Sequence, residues 1–220
     1  MLLLRLTFLL GLTALLSACA GMHMPGADSA KTGPFFTPTN TTNRGPLPAT
    51  MRRVLVLPTA GTSQMTEETL RSIDEQVNAE LTRTAKFETV AMTREDMKQM
   101  YGQFSISSVA ELPAGFFEKL AKTYGVDAVL FTDITTYSPY PPLSIGIRQK
   151  LARTSDRVIW WAVDNVFSAA DPSVANSARR TALKLGADRG PGDLSHTVLQ
   201  NPSRFAAFAL SEGFATLPTR

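Results

Sequence analysis

The sequence has few of the residues that form disulfides, metal centres and catalytic bases. Its single cysteine, Cys19, has no partner within the chain for a disulfide. Its two histidines, His23 and His196, are far apart, in segments that contain Gly and Pro. Zinc needs clustered His or Cys ligands, and a hydrolase needs a nucleophile beside a base and an orienting group. We therefore predict that the chain binds no metal and no cofactor, that it is not an enzyme, and that both histidines are solvated.

Long apolar runs are also scarce, and the one that is present lies at the N-terminus. An apolar stretch extends from Leu6 to Leu16, directly after the positive charge of Arg5. A transmembrane helix needs about 20 consecutive apolar residues, so this stretch is too short and instead indicates a signal peptide over residues 1–18. No second stretch of that length follows in the sequence, so we predict no transmembrane helix.

The end of the signal peptide carries a lipidation motif. Residues 16–19 read LSAC, which resembles the bacterial lipobox: a Leu, two small residues and the cysteine that receives a diacylglycerol before cleavage. The resemblance implies that Cys19 carries diacylglycerol and a further palmitate-type acyl chain, and more than one chain anchors a protein stably. Residue 20 is Ala rather than Asp, which by resemblance to enterobacterial lipoproteins implies the periplasmic face of the outer membrane. An ordinary secretory peptide with an incidental cysteine is the alternative.

Residues 19–50 have the composition of a linker. They are rich in Gly, Pro, Thr, Ser and Asn and show no apolar periodicity. Such a segment buries too little apolar surface to offset the entropy of ordering it. We therefore predict a flexible, lipidated tether that spans at most about 100 Å when fully extended. Its one apolar pair, Phe35 and Phe36, is either a local contact with the domain or a docking point for a partner.

The remaining residues, 51–220, are expected to form one domain. The whole chain is 44% hydrophobic and 19% charged, which is ordinary globular composition. Its net charge of +3 is small and the basic residues are scattered, so we expect no nucleic-acid partner.

The apolar pattern of this domain predicts an alternation of strands and helices. Short β-branched or alternating runs predict strands, and Thr, Asp or Asn caps followed by apolar residues at helical spacing predict helices. The predicted strands are 53–58, 87–92, 126–134, 143–151 and 158–167, and the predicted helices are 66–81, 93–101, 113–124, 171–186 and 201–214. The last two strands form a hairpin. The order predicts an α/β fold with a mixed sheet in two or three layers, and C-terminal helices from about residue 172.

This order of elements, behind an N-terminal lipid, resembles a superfamily of small periplasmic α/β lipoproteins. The superfamily includes the curli secretion protein, the Pel polysaccharide export lipoprotein, FlgO-type flagellar lipoproteins and the penicillin-binding-protein activator. The resemblance is carried by VLVLPTAG at residues 54–61, by the helix and strand at 66–100, and by LAKTYGVDAVLFTDITTY at 120–137. It implies a domain that binds or assembles. A curli-type pore needs additional transmembrane hairpins and the activator uses a long arm, so the export lipoprotein is the closer analogue.

Aromatic residues near the hairpin are the candidate interaction surface. Tyr137 and Tyr140 lie in YSPYPPL, a stiff, polyproline-like connection that is either a rigid loop or an aromatic contact surface. Trp160 and Trp161 are adjacent in a strand and should point to opposite faces. The alternation predicts Trp161 in the core beside Ile159, and Trp160 outward, where a terminal segment or a neighbouring subunit covers it.

Together these observations predict a non-enzymatic lipoprotein. The leading hypothesis is a structural or assembly component of an envelope or secretion-type system, a possible homo-oligomer that is held on the membrane through Cys19. Its partners would be envelope proteins or its own subunits. The alternative is a monomeric binding module that regulates a peptidoglycan or envelope enzyme. An enzyme that uses surface carboxylates is a third hypothesis.

Overall fold

A computed structural model describes residues 28–186 and 195–220 of the chain. The predicted signal peptide, the lipidation site Cys19, the sorting residue Ala20 and His23 lie outside these residues. Within them, the predicted mixed α/β fold with C-terminal helices is confirmed.

The described residues form six strands, six α-helices and one 3₁₀ helix. The strands are β1 (Thr41–Asn43), β2 (Arg53–Val56), β3 (Glu88–Ala91), β4 (Ala128–Ser138), β5 (Ser144–Arg153) and β6 (Ile159–Ser168). The α-helices are α1 (Ser29–Thr32), α2 (Glu67–Arg83), α3 (Arg94–Tyr101), α4 (Phe116–Tyr124), α5 (Pro172–Gly186) and α6 (Pro202–Ala215), and the 3₁₀ helix is Ser195–Leu199.

All six strands belong to one mixed sheet. The strand order is β1-β6-β5-β4-β2-β3. β2, which lies next to the edge strand β3, is parallel to both β3 and β4, whereas β4, β5, β6 and β1 are successively antiparallel. The two long strands β5 and β6 form the predicted hairpin. The parallel half of the sheet therefore contains the crossover helices, and the antiparallel half is built from the hairpin and β1.

Helices cover the two faces of the sheet unequally. On the first face, α2, α5 and α6 pack on a large apolar core that extends under every long strand. On the second face, α3 and α4 form a smaller core over the parallel half, with Phe116, Phe117 and Leu120 as its aromatic and aliphatic centre. Over β5, β6 and β1 the second face is open to solvent, and Val166 there is 54% exposed. The fold thus has three layers over one half of the sheet and two over the other.

Capping residues of the predicted types start three of the helices, and a glycine ends a fourth. The side chain of Thr66 accepts a hydrogen bond from the Thr69 N–H at the start of α2, and Thr93 caps α3 in the same way. Gly125 ends α4 with a left-handed conformation, φ 63°, which favours glycine because it has no Cβ. Asn201 caps α6 directly before Pro202.

Residues 28–50, predicted from composition to be a flexible tether, lie against the domain. β1 adds a strand to the sheet by pairing with β6, and the Phe36 N–H donates to Ser177 Oγ on α5 at 2.8 Å. The Phe36 ring packs edge-on against Phe167, with centroids 5.1 Å apart, and Leu47 is only 4% exposed. The boundary predicted at residue 50 therefore falls inside the folded domain, because a few separated apolar residues and backbone hydrogen bonds dock this segment without any local periodicity.

None of the helices in the described ranges is both long enough and apolar enough to cross a membrane.

Candidate interaction surfaces

The two adjacent tryptophans lie on the same side of the sheet. The pairing of β5 with β6 shifts register between Leu151, which faces Trp161, and Ala152, which faces Ile159. This β-bulge at Trp160 interrupts the alternation of side chains. Trp161 is completely buried in the first-face core, and Trp160 packs at the margin of the same core instead of facing outward. Ile159 pairs with a second-face residue and is 43% exposed, so its predicted place beside Trp161 in the core is wrong.

The surroundings of Trp160 come from its own chain. Its indole N–H donates to the Pro46 carbonyl oxygen at 3.2 Å, and the Arg153 guanidinium lies over its ring at 5.0 Å from the centroid. Pro46 belongs to the N-terminal segment that docks on the domain. A terminal segment therefore covers part of this tryptophan, and the ring remains partly exposed.

Tyr137 and Tyr140 lie at the opposite end of the hairpin from Trp160. Tyr137 pairs with Ile145, which in turn pairs with Phe167, so this end lies seven positions along β6 from Trp160, roughly 23 Å at the rise of a strand. Tyr137 is partly buried, which raises the pKa of its hydroxyl. Tyr140 is 78% exposed in the proline-rich turn. The three aromatic candidates thus belong to two separate surfaces.

The open half of the second face carries alternating charges. Arg148 Nε donates to Asp164 Oδ2 at 2.7 Å on the neighbouring strand. Lys150 Nζ donates to the Ser108 carbonyl oxygen at 2.9 Å, and Asp133 accepts hydrogen bonds from the amide and hydroxyl of Ser108. A shallow depression of about 100 Å³ lies between β1 and these side chains. Because its charges are already paired, this strip suits contact with another macromolecular surface more than enclosure of a small molecule.

A buried ion pair joins the loop after β2 to two helices. Arg94 on α3 donates to Asp74 Oδ2 on α2 at 2.7 Å, and also to the Thr59 carbonyl oxygen at 2.8 Å. The Thr59 N–H donates to Asp74 Oδ1 at 2.7 Å. Burial raises the pKa of Asp74, and the Thr59 N–H and the Arg94 guanidinium oppose that rise. Because these three residues form hydrogen bonds with one another, the cluster holds the loop and the two helices together.

Two polar side chains lie unpaired in the first-face core. Gln149 on β5 is fully buried and stands directly opposite Thr132 on β4. Neither the Gln149 amide nor the Thr132 hydroxyl has a hydrogen-bond partner among the described residues. A Cβ added to Gly213 on α6 would lie 2.9 Å from Gln149 Oε1, so the helix passes close above the amide. The sequence carried a signal for this site, because Gln149 falls in phase with the apolar residues of β5.

His, Cys, Asp and Glu side chains do not gather into a metal centre in the part of the chain that the structure describes. No group of three or more His, Cys, Asp or Glu side chains there could hold a metal ion. His196 is exposed in the 3₁₀ helix, whereas His23 and Cys19 lie outside the described ranges.

Comparison with known proteins identifies structures of similar fold. No family model matches the chain, and no curated protein matches it. The PelC dodecamer from Paraburkholderia phytofirmans is 11% identical, with 82% of this chain and 96% of that chain covered and a TM-score of 0.49. The lipoprotein GNA1162 from Neisseria meningitidis is 17% identical, with 63% and 99% covered and a TM-score of 0.44. The LpoB C-terminal domain from Escherichia coli is 19% identical, with 53% and 82% covered and a TM-score of 0.33. PelC is the Pel export lipoprotein and LpoB the penicillin-binding-protein activator that the sequence was predicted to resemble, and the likeness concerns the fold alone.

Proposed function

We propose that the protein is a periplasmic lipoprotein, anchored to the outer membrane through lipid on Cys19, that acts as a non-enzymatic structural or assembly component of an envelope or secretion-type system. The observation that carries this proposal is the docking of residues 28–50 on the domain. It leaves the eight residues 20–27 between the lipidated cysteine and the folded surface. Fully extended, they span at most about 30 Å.

A link of this length restricts where the domain can act. A regulator that must reach an enzyme in the opposite membrane needs a long flexible arm. In this chain most of the predicted tether, residues 28–50, is instead part of the folded domain. A domain that stays within about 30 Å of its own membrane suits a component assembled on that membrane. The short link therefore favours assembly over the alternative of a monomeric regulatory module.

Two surfaces are available for contacts with envelope proteins or other subunits. The first is the open half of the second face, where Val166 and Ile159 are exposed beside paired charges. The second is the proline-rich turn that presents Tyr140. Exposed apolar side chains rimmed by polar residues are typical of protein–protein contacts, and aromatic residues are enriched at their centres. Trp160 is partly covered by the segment that contains Pro46, so it could lie only at the periphery of such an interface.

The anchoring part of the proposal is tested by labelling with a radioactive or alkyne-bearing fatty acid in cells. The wild-type chain should incorporate the label and fractionate with the outer membrane, and Cys19→Ser should lose both the label and the lipobox-dependent cleavage. Ala20→Asp should keep the label and move towards the inner membrane. A Cys19→Ser chain that still carries lipid would refute the anchor.

The assembly part is tested by size-exclusion chromatography with light scattering on residues 19–220 carrying Cys19→Ser. A stable multiple of the subunit mass supports the proposal. Replacing Val166 with Lys should then reduce the mass, because a charge at an apolar contact is desolvated without a partner. A monomer at all concentrations supports instead the monomeric binding module.

A further inference from the structure

The surface beside the exit of the N-terminal segment is basic. The described chain begins at Asp28, whose Oδ1 accepts from Arg179 Nη2 on α5 at 3.2 Å. The short helix α1 that follows packs on α5. The link to Cys19 therefore leaves the domain alongside α5, and the membrane lies no further from this point than residues 20–27 can reach.

Three cations are exposed around this exit. Lys31 lies on α1, and Arg180 and Lys184 lie on α5, four residues apart and so on one side of the helix. The Arg180 guanidinium lies over the Phe35 ring at 4.4 Å from the centroid, which holds it beside the docked segment.

The acidic groups near these cations do not cancel their charge. Asp28 is already paired with Arg179. Glu212 on α6 interacts with both Arg180 and Lys184, and burial raises its pKa. With Arg179 included, the described residues place four cations and two carboxyls on this surface, which leaves it positive, whereas the acidic residues Glu67, Glu68 and Glu75 are on α2.

We propose that the surface formed by Lys31, Arg180 and Lys184 docks on the head groups of anionic phospholipids in the membrane that holds the lipid anchor. This inference rests on the proposed anchoring through Cys19, which sets the distance to the membrane. A basic patch close to an acyl anchor adds electrostatic attraction to the hydrophobic one, and each Lys or Arg near an anionic bilayer strengthens binding by a factor of about five. The patch turns α5 and the docked N-terminal segment towards the membrane.

The test uses the mature chain, residues 19–220, with Cys19→Ser, so that no lipid contributes to binding. It is sedimented with vesicles of phosphatidylcholine alone, or of equal parts phosphatidylcholine and phosphatidylglycerol, at low and high salt. We expect binding to the mixed vesicles only, and loss of binding at high salt, where charges are screened. The triple variant Lys31→Gln/Arg180→Gln/Lys184→Gln should bind about 100-fold more weakly.

A matched control removes three exposed lysines from the opposite layer: Lys98→Gln/Lys119→Gln/Lys122→Gln. It has the same net charge as the patch variant but should bind like the wild type. Lys31→Gln/Lys184→Gln keeps Arg180 on Phe35, so it tests the patch even if the triple variant unfolds. Equal binding to both vesicle types, or equal weakening by patch and control variants, would overturn the inference. Failure of fatty-acid labelling at Cys19 would instead refute the proposed anchor, because the vesicle experiment contains no lipidated protein.

Discussion

Replacing Gln149 with Met should stabilise the domain. Gln149 is fully buried, and neither its Oε1 nor its Nε2 has a hydrogen-bond partner among the described residues. A buried polar group without a partner costs about 1–3 kcal/mol. Met has nearly the same length and flexibility as Gln, and volume-conserving replacements cost less than about 1.5 kcal/mol. We therefore expect the free energy of unfolding to rise by about 1–2 kcal/mol.

The change is measured by urea and thermal unfolding of residues 19–220 carrying Cys19→Ser. Each kcal/mol should raise Tm by about 2–4 °C in a domain of this size. Gln99→Met is the control, since Gln99 is exposed on α3 and Gln and Met have similar helix propensities. It should change stability by less than about 0.5 kcal/mol. A Gln149→Met chain less stable than the wild type, with an unchanged urea slope, would show that the amide is hydrogen-bonded in solution and would refute this reasoning.

Three other predictions test the core, a buried carboxyl and the N-terminal segment. Trp161→Ala should lower the free energy of unfolding by about 3–5 kcal/mol, measured by thermal unfolding, because the indole is fully buried and hydrogen-bonded to Thr216. Trp160→Ala should lower it by only roughly 1–2 kcal/mol. A larger loss for Trp160→Ala than for Trp161→Ala would contradict the bulge. Burial raises the pKa of Glu212, so the folded state holds its proton more tightly and loses stability as pH rises from the usual glutamate range through the raised value. Glu212→Gln should therefore raise Tm more at neutral than at acidic pH, and a pH-independent difference would argue against that shift. Trypsin should cut slowly after Arg44 in the folded wild-type chain, because the segment is docked on the domain, and faster in Phe36→Ala. Rapid cutting of the wild type would show instead that this segment is a flexible tether.

Local signals were sufficient for most of the elements. The caps Thr66, Thr93 and Asn201 and the stop at Gly125 each act within one helical turn, so the residues that fix these helix ends are close together in the sequence. Apolar periodicity predicted the positions of the five strands β2–β6 and the apolar sides of the helices for the same reason, except at the bulge in β6. The α/β class and the order of elements followed from these local patterns.

Interactions between distant residues could not be predicted in this way. Phe36 docks against Phe167, and β1 pairs with β6, although the segment around them has the composition of a linker. The bulge at Trp160 moves one side chain to the other side of a strand without any glycine or proline to mark it. The sequence shows Gln149 only as a polar residue at a position of β5 where the alternation expects an apolar one. Its lack of hydrogen-bond partners depends on how α6 lies above β5, which the local sequence does not determine.

The docked N-terminal segment also relates the two proposed surfaces to each other. α5 packs on the first face of the sheet, and the link to Cys19 leaves the domain beside it. With Arg180 and Lys184 on the membrane, α5 is directed towards the bilayer, and the open second face lies on the other side of the sheet from α5. The exposed Val166 then lies on the periplasmic side, where a partner can approach without displacing lipid. The membrane contact and the assembly contact therefore occupy opposite faces of the sheet, and variants of one should leave the other intact.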